Sequence, residues 1–276
     1  MATLAAQMKQ LRAEFHARRL LTATNPMLER LRVDAARIFI EAGHTPDPWQ
    51  SRVLHSISRR ILLLCARQCG KSLTAAALSL RTALLQPGSL VLLLSPSMRQ
   101  SGELFRDKVL PLFNALNRPI KVTQESALQM TLANGSRIVS LPGEEETLRG
   151  YSSVKLLVID EASRVSDSLY RSVRPMLAVS GGTLVALSTP FGRRGWFYDT
   201  WNGADDWLKV KVAANQCPRI AAEFLAEEER TLGPRWFAQE YLCSFEDVVG
   251  SIFSADALES MISSSVAAVP FPGRSK

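Results

Sequence analysis

At 276 residues, with 46% hydrophobic and 21% charged side chains, the chain holds enough apolar material for one substantial α/β core and falls outside the disordered and fibrous classes. No apolar run approaches the ~20 residues that span a bilayer, and the first dozen residues lack the apolar centre of a secretory signal, so neither membrane insertion nor secretion is expected. The net charge of +7, with ten Lys/Arg against five Asp/Glu in residues 1 to 60, suits a polyanionic partner, although a solvated arginine-bearing helix face explains it equally well.

Residues 3 to 23 and 27 to 42 read as two helices, split at Asn25-Pro26 and closed by Gly43. Thr45-Pro-Asp-Pro-Trp-Gln50 is then a proline-punctuated turn. Its Gln50 carries an amide that could donate to and accept from an adenine edge, with helix capping or a surface position as the alternative. The next segment, Leu62-Leu-Leu-Cys-Ala-Arg-Gln-Cys-Gly-Lys-Ser72, is an apolar run, a short loop and the start of a helix-forming stretch through Leu80. That order of strand, loop and helix cradles phosphates: backbone N–H groups of Gln68, Cys69, Gly70 and Leu73 surround a triphosphate, Lys71 neutralises its terminal groups, and the Ser72 hydroxyl ligates magnesium. Cys65 stands where such loops usually carry their first glycine, so the segment alone is also compatible with a chance Gly-Lys-Ser triplet.

Ser89 to Leu94 reads as a buried strand, Met98 to Leu116 as a helix, and Leu128 to Leu141 as a hairpin turning at Asn134-Gly135. Leu156-Leu-Val-Ile-Asp-Glu161 is a buried strand with two carboxylates at its tip. Asp160 is suited to hold a magnesium shell and Glu161 to polarise an attacking water. A helix from Ser166 to Leu177 leads through Gly181-Gly182 to the strand Thr183-Leu-Val-Ala-Leu-Ser-Thr-Pro190, which carries Ser188 and Thr189 to the same sheet edge. An edge strand at Trp207 to Val212 and helices at Ile220 to Leu232 and Pro234 to Cys243 complete the pattern. From Val248 the composition becomes linker-like. The expected division is an ATPase unit over 1–250, made of a helical preface (1–44), a phosphate-loop core (45–215) and a helical lid (216–250), followed by a linker over 251–276. Cys65, Cys69, Cys217 and Cys243 are too scattered for a disulfide framework and read as packing residues in a reducing compartment.

Ala66-Arg-Gln-Cys-Gly-Lys-Ser72, Leu148-Arg-Gly-Tyr-Ser152, Val158-Ile-Asp-Glu-Ala162, Leu187-Ser-Thr-Pro190 and Phe237-Ala-Gln-Glu-Tyr-Leu242 follow one another in an order that resembles the ATPase domain of the large terminase subunits of tailed bacteriophages. The resemblance spans roughly residues 45 to 250, and the arginine-bearing loop lacking its first glycine is typical of that family. It implies a P-loop nucleotide-binding fold of the additional-strand, catalytic-glutamate type: a mainly parallel sheet between helices, with N-terminal helices and a small C-terminal helical lid. It implies ATP as fuel, Mg2+ held by Ser72 and Asp160, an adenine contact at Gln50, catalysis by Glu161, Lys71 and Arg67, and coupling of hydrolysis to movement through Ser188 and Thr189. Arg67 matches the loop arginine that senses the γ-phosphate or stabilises the transition state; a salt bridge bracing the loop is the alternative.

The implied partners are double-stranded DNA, a portal protein and a small terminase subunit, in the cytoplasm of an infected bacterium. Subunits are expected to form a ring on the portal and to be monomeric in isolation, a neighbour lending an arginine for which Arg106, Arg137, Arg149 and Arg164 are candidates. Large terminases usually continue into a nuclease with clustered aspartates; no such cluster follows Phe245, so nuclease activity is not expected of these residues. A helicase-like or other DNA-stimulated ATPase remains an alternative, but it needs a second motor core or strand-separating elements. A nucleotide-dependent assembly switch is a further one, and it has no need of a water activator such as Glu161.

Overall fold

The structure, a computed structural model, describes residues 25–144, 148 and 150–246. The predicted helix at 3–23, the linker at 251–276 and Arg149 lie outside the described residues. Eight strands form one sheet in the order β3-β4-β5-β2-β6-β7-β1-β8. They are β1 Arg60–Cys65, β2 Leu90–Ser95, β3 Val122–Glu125, β4 Gln129–Leu132, β5 Arg137–Pro142, β6 Val154–Asp160, β7 Thr183–Ser188 and β8 Leu208–Val212. The six strands from β5 to β8 in that order are mutually parallel, and β3 and β4 extend the sheet antiparallel. Every residue of β2 is buried, as is all of β1 after Arg60. Continuous Leu/Val/Ile runs of this kind belong to parallel strands covered on both faces.

β7 lies between β1 and β6, pairing Leu64 with Ser188 on one side and Asp160 with Leu187 on the other. This is the additional strand implied by the resemblance. It puts the tips of β1, β6 and β7 side by side at the carboxyl edge, where ligands bind in open α/β sheets. The expected hairpin is present as β4 and β5, and β8 is the expected edge strand.

Helices depart from the sequence pattern in instructive ways. The stretch 27–42 is two short helices, α1 Pro26–Val33 and α2 Arg37–Glu41, because Asp34 leaves the helical region and its Oδ1 accepts from Ala36 N at 2.9 Å. The proline-rich turn is in fact the start of α3, Pro48–His55, with Pro48 in its first turn and a capping box between Asp47 and Gln50. After α4, Lys71–Leu85, the expected single helix at 98–116 is α5 Met98–Leu104, a π turn at Phe105–Val109 and α6 Leu110–Ala115. α7 Asp167–Val173, α8 Gly195–Asn202, α9 Ala222–Leu232 and α10 Pro234–Leu242 follow; neither α8 nor the polar strand β3 was expected. No helix among the described residues is long and apolar enough to cross a membrane.

Candidate active site

β1 delivers the chain into the loop Ala66 to Gly70, which Ala66 N anchors to Val212 O of β8 at 2.9 Å. The loop turns through two left-handed residues, Gln68 (φ 60°) and Gly70 (φ 88°). Glycine is needed at position 70 for the angle and for space, since a Cβ there would lie 3.0 Å from Gln50 Nε2. α4 begins at the next residue, so its unpaired N–H groups and positive end face the loop. A cavity of about 700 Å³ opens above, lined by Arg67, Gln68, Gly70, Lys71, Ser72 and Leu73 of this segment and by Gln100, Lys108, Glu161, Arg164 and Thr189 opposite it.

Lys71 and Glu161 meet across the cavity floor, Nζ to Oε1 at 3.3 Å. Burial disfavours the Lys71 ammonium, but Glu161 and Asp160 outweigh it and hold its pKa above the usual lysine value. Asp160 is buried beneath them. Burial and the neighbouring Glu161 charge push its carboxyl up to about 6, while Lys71, the Glu161 N–H and the Ser72 hydroxyl pull the other way. Glu161 itself takes a left-handed backbone (φ 48°, ψ 44°), which turns the chain sharply after β6 and aims its carboxylate back over the loop.

Ser188 and Thr189 are buried at the tip of β7. Ser188 Oγ donates to Glu161 Oε2 at 3.4 Å and lies 2.6 Å from Ser163 Oγ, which also donates to Thr189 O at 2.9 Å. Glu161 is thus bonded to the β7 tip through Ser188, and Ser163 ties Ser188 to the Thr189 carbonyl. Gln50 is buried: its Oε1 accepts from Asp47 N at 2.9 Å and its Nε2 donates to Thr74 Oγ1 at 2.9 Å. This is the helix-capping geometry offered above, and the amide keeps a second N–H and a second lone pair beyond these two bonds. Arg219 closes the same side, with its guanidinium in a two-pronged pair with Asp47 at 2.8 and 2.7 Å and 3.4 Å from Cys69 O.

Arg67 lines the cavity, and its Nε pairs with Glu240 Oε2 at 2.5 Å, the loop-bracing salt bridge given above as the alternative. Of the arginines considered for service in a neighbour, Arg164 lines the chain's own cavity, its guanidinium 4.1 Å from the Phe191 ring centroid. Arg137 opens β5 beside Leu90, at the sheet edge remote from the cavity, and Arg106 lies in the π turn. The sequence pattern missed Gln100, Lys108, Ser163, Asp47, Arg219 and Glu240. Only Glu240 had a signal, its place in Phe237–Leu242.

All four cysteines are buried free thiols. Burial pushes Cys69 and Cys243 up to about 12 and Cys65 also upward, so none of these three is a thiolate nucleophile at neutral pH. Among the described residues no cluster of three or more His, Cys, Asp or Glu could cage a metal ion. What the site can do is bind a strongly charged anion beside a carboxylate that is hydrogen-bonded but still solvent-accessible.

The sequence profile described as "Terminase large subunit, T4likevirus-type, N-terminal" matches residues 62–260. The chain is 25% identical over 234 residues to the large terminase subunit of Escherichia phage T5, covering 80% of this chain and 53% of that protein. It is likewise 25% identical over 265 residues to the large terminase subunit of Thermus phage G20c, covering 82% and 54%. The chain therefore spans about half the length of these curated relatives. Its fold is similar to the large terminase ATPase domain of Thermus phage P74-26, with a TM-score of 0.66, 21% identity, and coverage of 75% of this chain and 96% of that one.

Proposed function

The chain belongs to the family of terminase large subunits, matching their N-terminal domain, and on that premise we propose that it is the ATP-hydrolysing motor unit that drives double-stranded viral DNA into a procapsid. The observation that carries this reading is the pairing of Lys71 with Glu161 over a roomy cavity at the start of a helix. Lys71 and the α4 N-terminus neutralise the phosphates, and Glu161 orients the attacking water. Lys71 is the only cation within 4.0 Å of the Glu161 carboxylate among the described residues, so an arriving phosphate competes for the ammonium and frees the carboxylate for that task.

The corner formed by Asp160 and the Ser72 hydroxyl is all oxygen, which fits a hard divalent cation such as Mg2+ that keeps some ligands from water and phosphate. When bound there, the ion would be held by Asp160 and Ser72 and would offset negative charge developing on the phosphate. Arg67 adds a guanidinium whose fork spreads over phosphate oxygens better than an ammonium can. Ser188 and Thr189, already bonded to Glu161 and Ser163, carry the change in Glu161's partners to β7 and so to the rest of the motor. Portal protein, small terminase subunit, DNA and neighbouring copies in a ring are the proposed partners.

The test is steady-state ATP hydrolysis and nucleotide binding by Glu161→Ala. It should bind ATP as the parent does and lose turnover by about 10³-fold or more. Parental turnover in that variant would remove Glu161 from the mechanism. Stimulation by duplex DNA, and packaging with portal and procapsid, separate a translocase from a helicase-like ATPase or an assembly switch.

A further inference from the structure

The end of the sheet opposite the nucleotide cavity holds a smaller pocket of about 270 Å³, at the amino ends of β1, β7 and β8. The six residues of β1 separate it from the phosphate loop, roughly 20 Å at the ~3.3 Å rise of a parallel strand. Leu184, Trp207 and the Tyr170 ring give it an apolar lining, and Tyr170 lies flat against Trp196 with ring centroids 3.9 Å apart. The rest of the wall is cationic. Arg59 and Arg60 lead into β1, and Arg174 opens the short turn Arg174–Leu177 after α7. The Arg59 guanidinium lies over Gly181, where a Cβ would come within 3.0 Å of its Nη1, and Arg174 Cζ lies 5.6 Å from the Tyr170 ring centroid. Lys155 of β6 joins the same edge by donating to Ser180 O at 2.9 Å.

Guanidinia turned to one pocket repel one another unless an acid lies among them. Among the described residues none of the three has a carboxylate within 4.0 Å, and Asp205, which acts on the Tyr170 hydroxyl, stays beyond that distance from all of them. A guanidinium fork matches phosphate oxygens, so phosphate is the counter-charge that this arrangement suits. The pocket falls below the roughly 300–1,000 Å³ of small-molecule sites, which favours one phosphate of a polymer over a free nucleotide.

We propose that Arg59, Arg60 and Arg174 grip the sugar–phosphate backbone of duplex DNA, one phosphate seated in the pocket and held by charge rather than by base sequence. The inference rests on reading the chain as a DNA motor, and it gives that motor a place to hold its track. β7 joins the two sites: it starts beside Gly181 and Gly182 at this pocket and ends at Ser188, which is bonded to Glu161. A shift of β7 on hydrolysis therefore reaches the grip along one strand.

The experiment measures binding to two short labelled duplexes of unrelated sequence across a salt series. It compares the parent with Arg59→Gln, Arg60→Gln, Arg174→Gln, the triple Gln variant and the triple Lys variant of the same positions; all three side chains are exposed. A control, Arg32→Gln/Arg37→Gln/Arg230→Gln, loses the same charge at exposed positions elsewhere. Each single variant should weaken binding to both duplexes about 5-fold and lower the slope of log affinity against log salt by about 1, and the triple Gln variant should lower it by about 3. The triple Lys variant should keep the slope but bind about 5-fold more weakly, having charge without the fork. The control should stay within about 3-fold of the parent, and hydrolysis without DNA within about 2-fold in every variant. Parental affinity and slope in the triple Gln variant overturn the grip and leave the motor reading intact, as does a control that loses as much. Inorganic phosphate, titrated calorimetrically at constant ionic strength, separates a free anion from the polymer. Heat that vanishes in the triple Gln variant while DNA binding is unchanged assigns the pocket to free phosphate and overturns the proposal. A parent that binds neither duplex at low salt overturns the DNA reading and this inference together. Should the triple Gln variant fail to fold in a thermal melt, the three single variants decide by the same slopes.

Discussion

Glu161 occupies a left-handed backbone that costs a non-glycine residue about 1–3 kcal/mol. The return on that strain is a carboxylate turned back onto Lys71 at 3.3 Å and Ser188 at 3.4 Å. Lys71→Ala removes the buried cation that offsets the two acids and the incoming phosphates alike; nucleotide affinity and hydrolysis should both drop, as read by equilibrium binding and turnover. Ser163 is a finer probe, because its hydroxyl joins Ser188 to the Thr189 carbonyl without lining the cavity. Ser163→Ala forfeits about 1–1.5 kcal/mol of hydrogen bonding, and should slow turnover about tenfold with nucleotide affinity unchanged. The cysteines make a third residue-scale expectation: with all four side chains buried, a thiol reagent should titrate none in the native protein and four after denaturation.

At the scale of elements, α4 and β6 were legible because their chemistry is consecutive in the chain: Gly70-Lys71-Ser72 and Asp160-Glu161 each follow a buried apolar strand. Arg219 and Lys108 were not, since they come from distant segments and only tertiary packing brings Lys108 to the cavity and Arg219 to Asp47 and the Cys69 carbonyl. α3 was hidden by prolines that also serve as helix starters, and β3, Val-Thr-Gln-Glu, is too exposed to show an apolar pattern. The π turn at Phe105–Val109 adds a residue within 98–116 and places Lys108 at the cavity, a phase shift that 3.6-residue periodicity does not reveal. The Gly181-Gly182 turn before β7 illustrates a packing constraint legible only in three dimensions. A Cβ on Gly182 would press on Val154 O and lie 2.9 Å from Leu177 Cδ2, so Gly182→Ala should cost about 1–3 kcal/mol in a denaturant melt.

For the whole molecule, the parallel core makes the site one-sided, with the loop, acid pair and β7 tip at the carboxyl edge and Arg137 at the other. A neighbouring subunit in the proposed ring therefore meets this edge with a different part of its own surface. If it lends an arginine, subunits lacking Arg106, Arg137 and Arg149 mixed with Glu161→Ala subunits should hydrolyse ATP faster than either population alone. A mixture no faster than its components would argue that each site is self-sufficient.

The intervening strand β7 sets one further consequence. β1 and β6 are held two inter-strand steps apart, about 9.5 Å, and Lys71, from the loop that leaves β1, meets Glu161, from the tip of β6, across that gap. β7 is thus the spacer of a gauge as well as the carrier of the two hydroxyls. A bulge or slip in its ladder would open the jaws on both flanks at once, spoiling alignment of the reacting groups before loosening the grip on nucleotide.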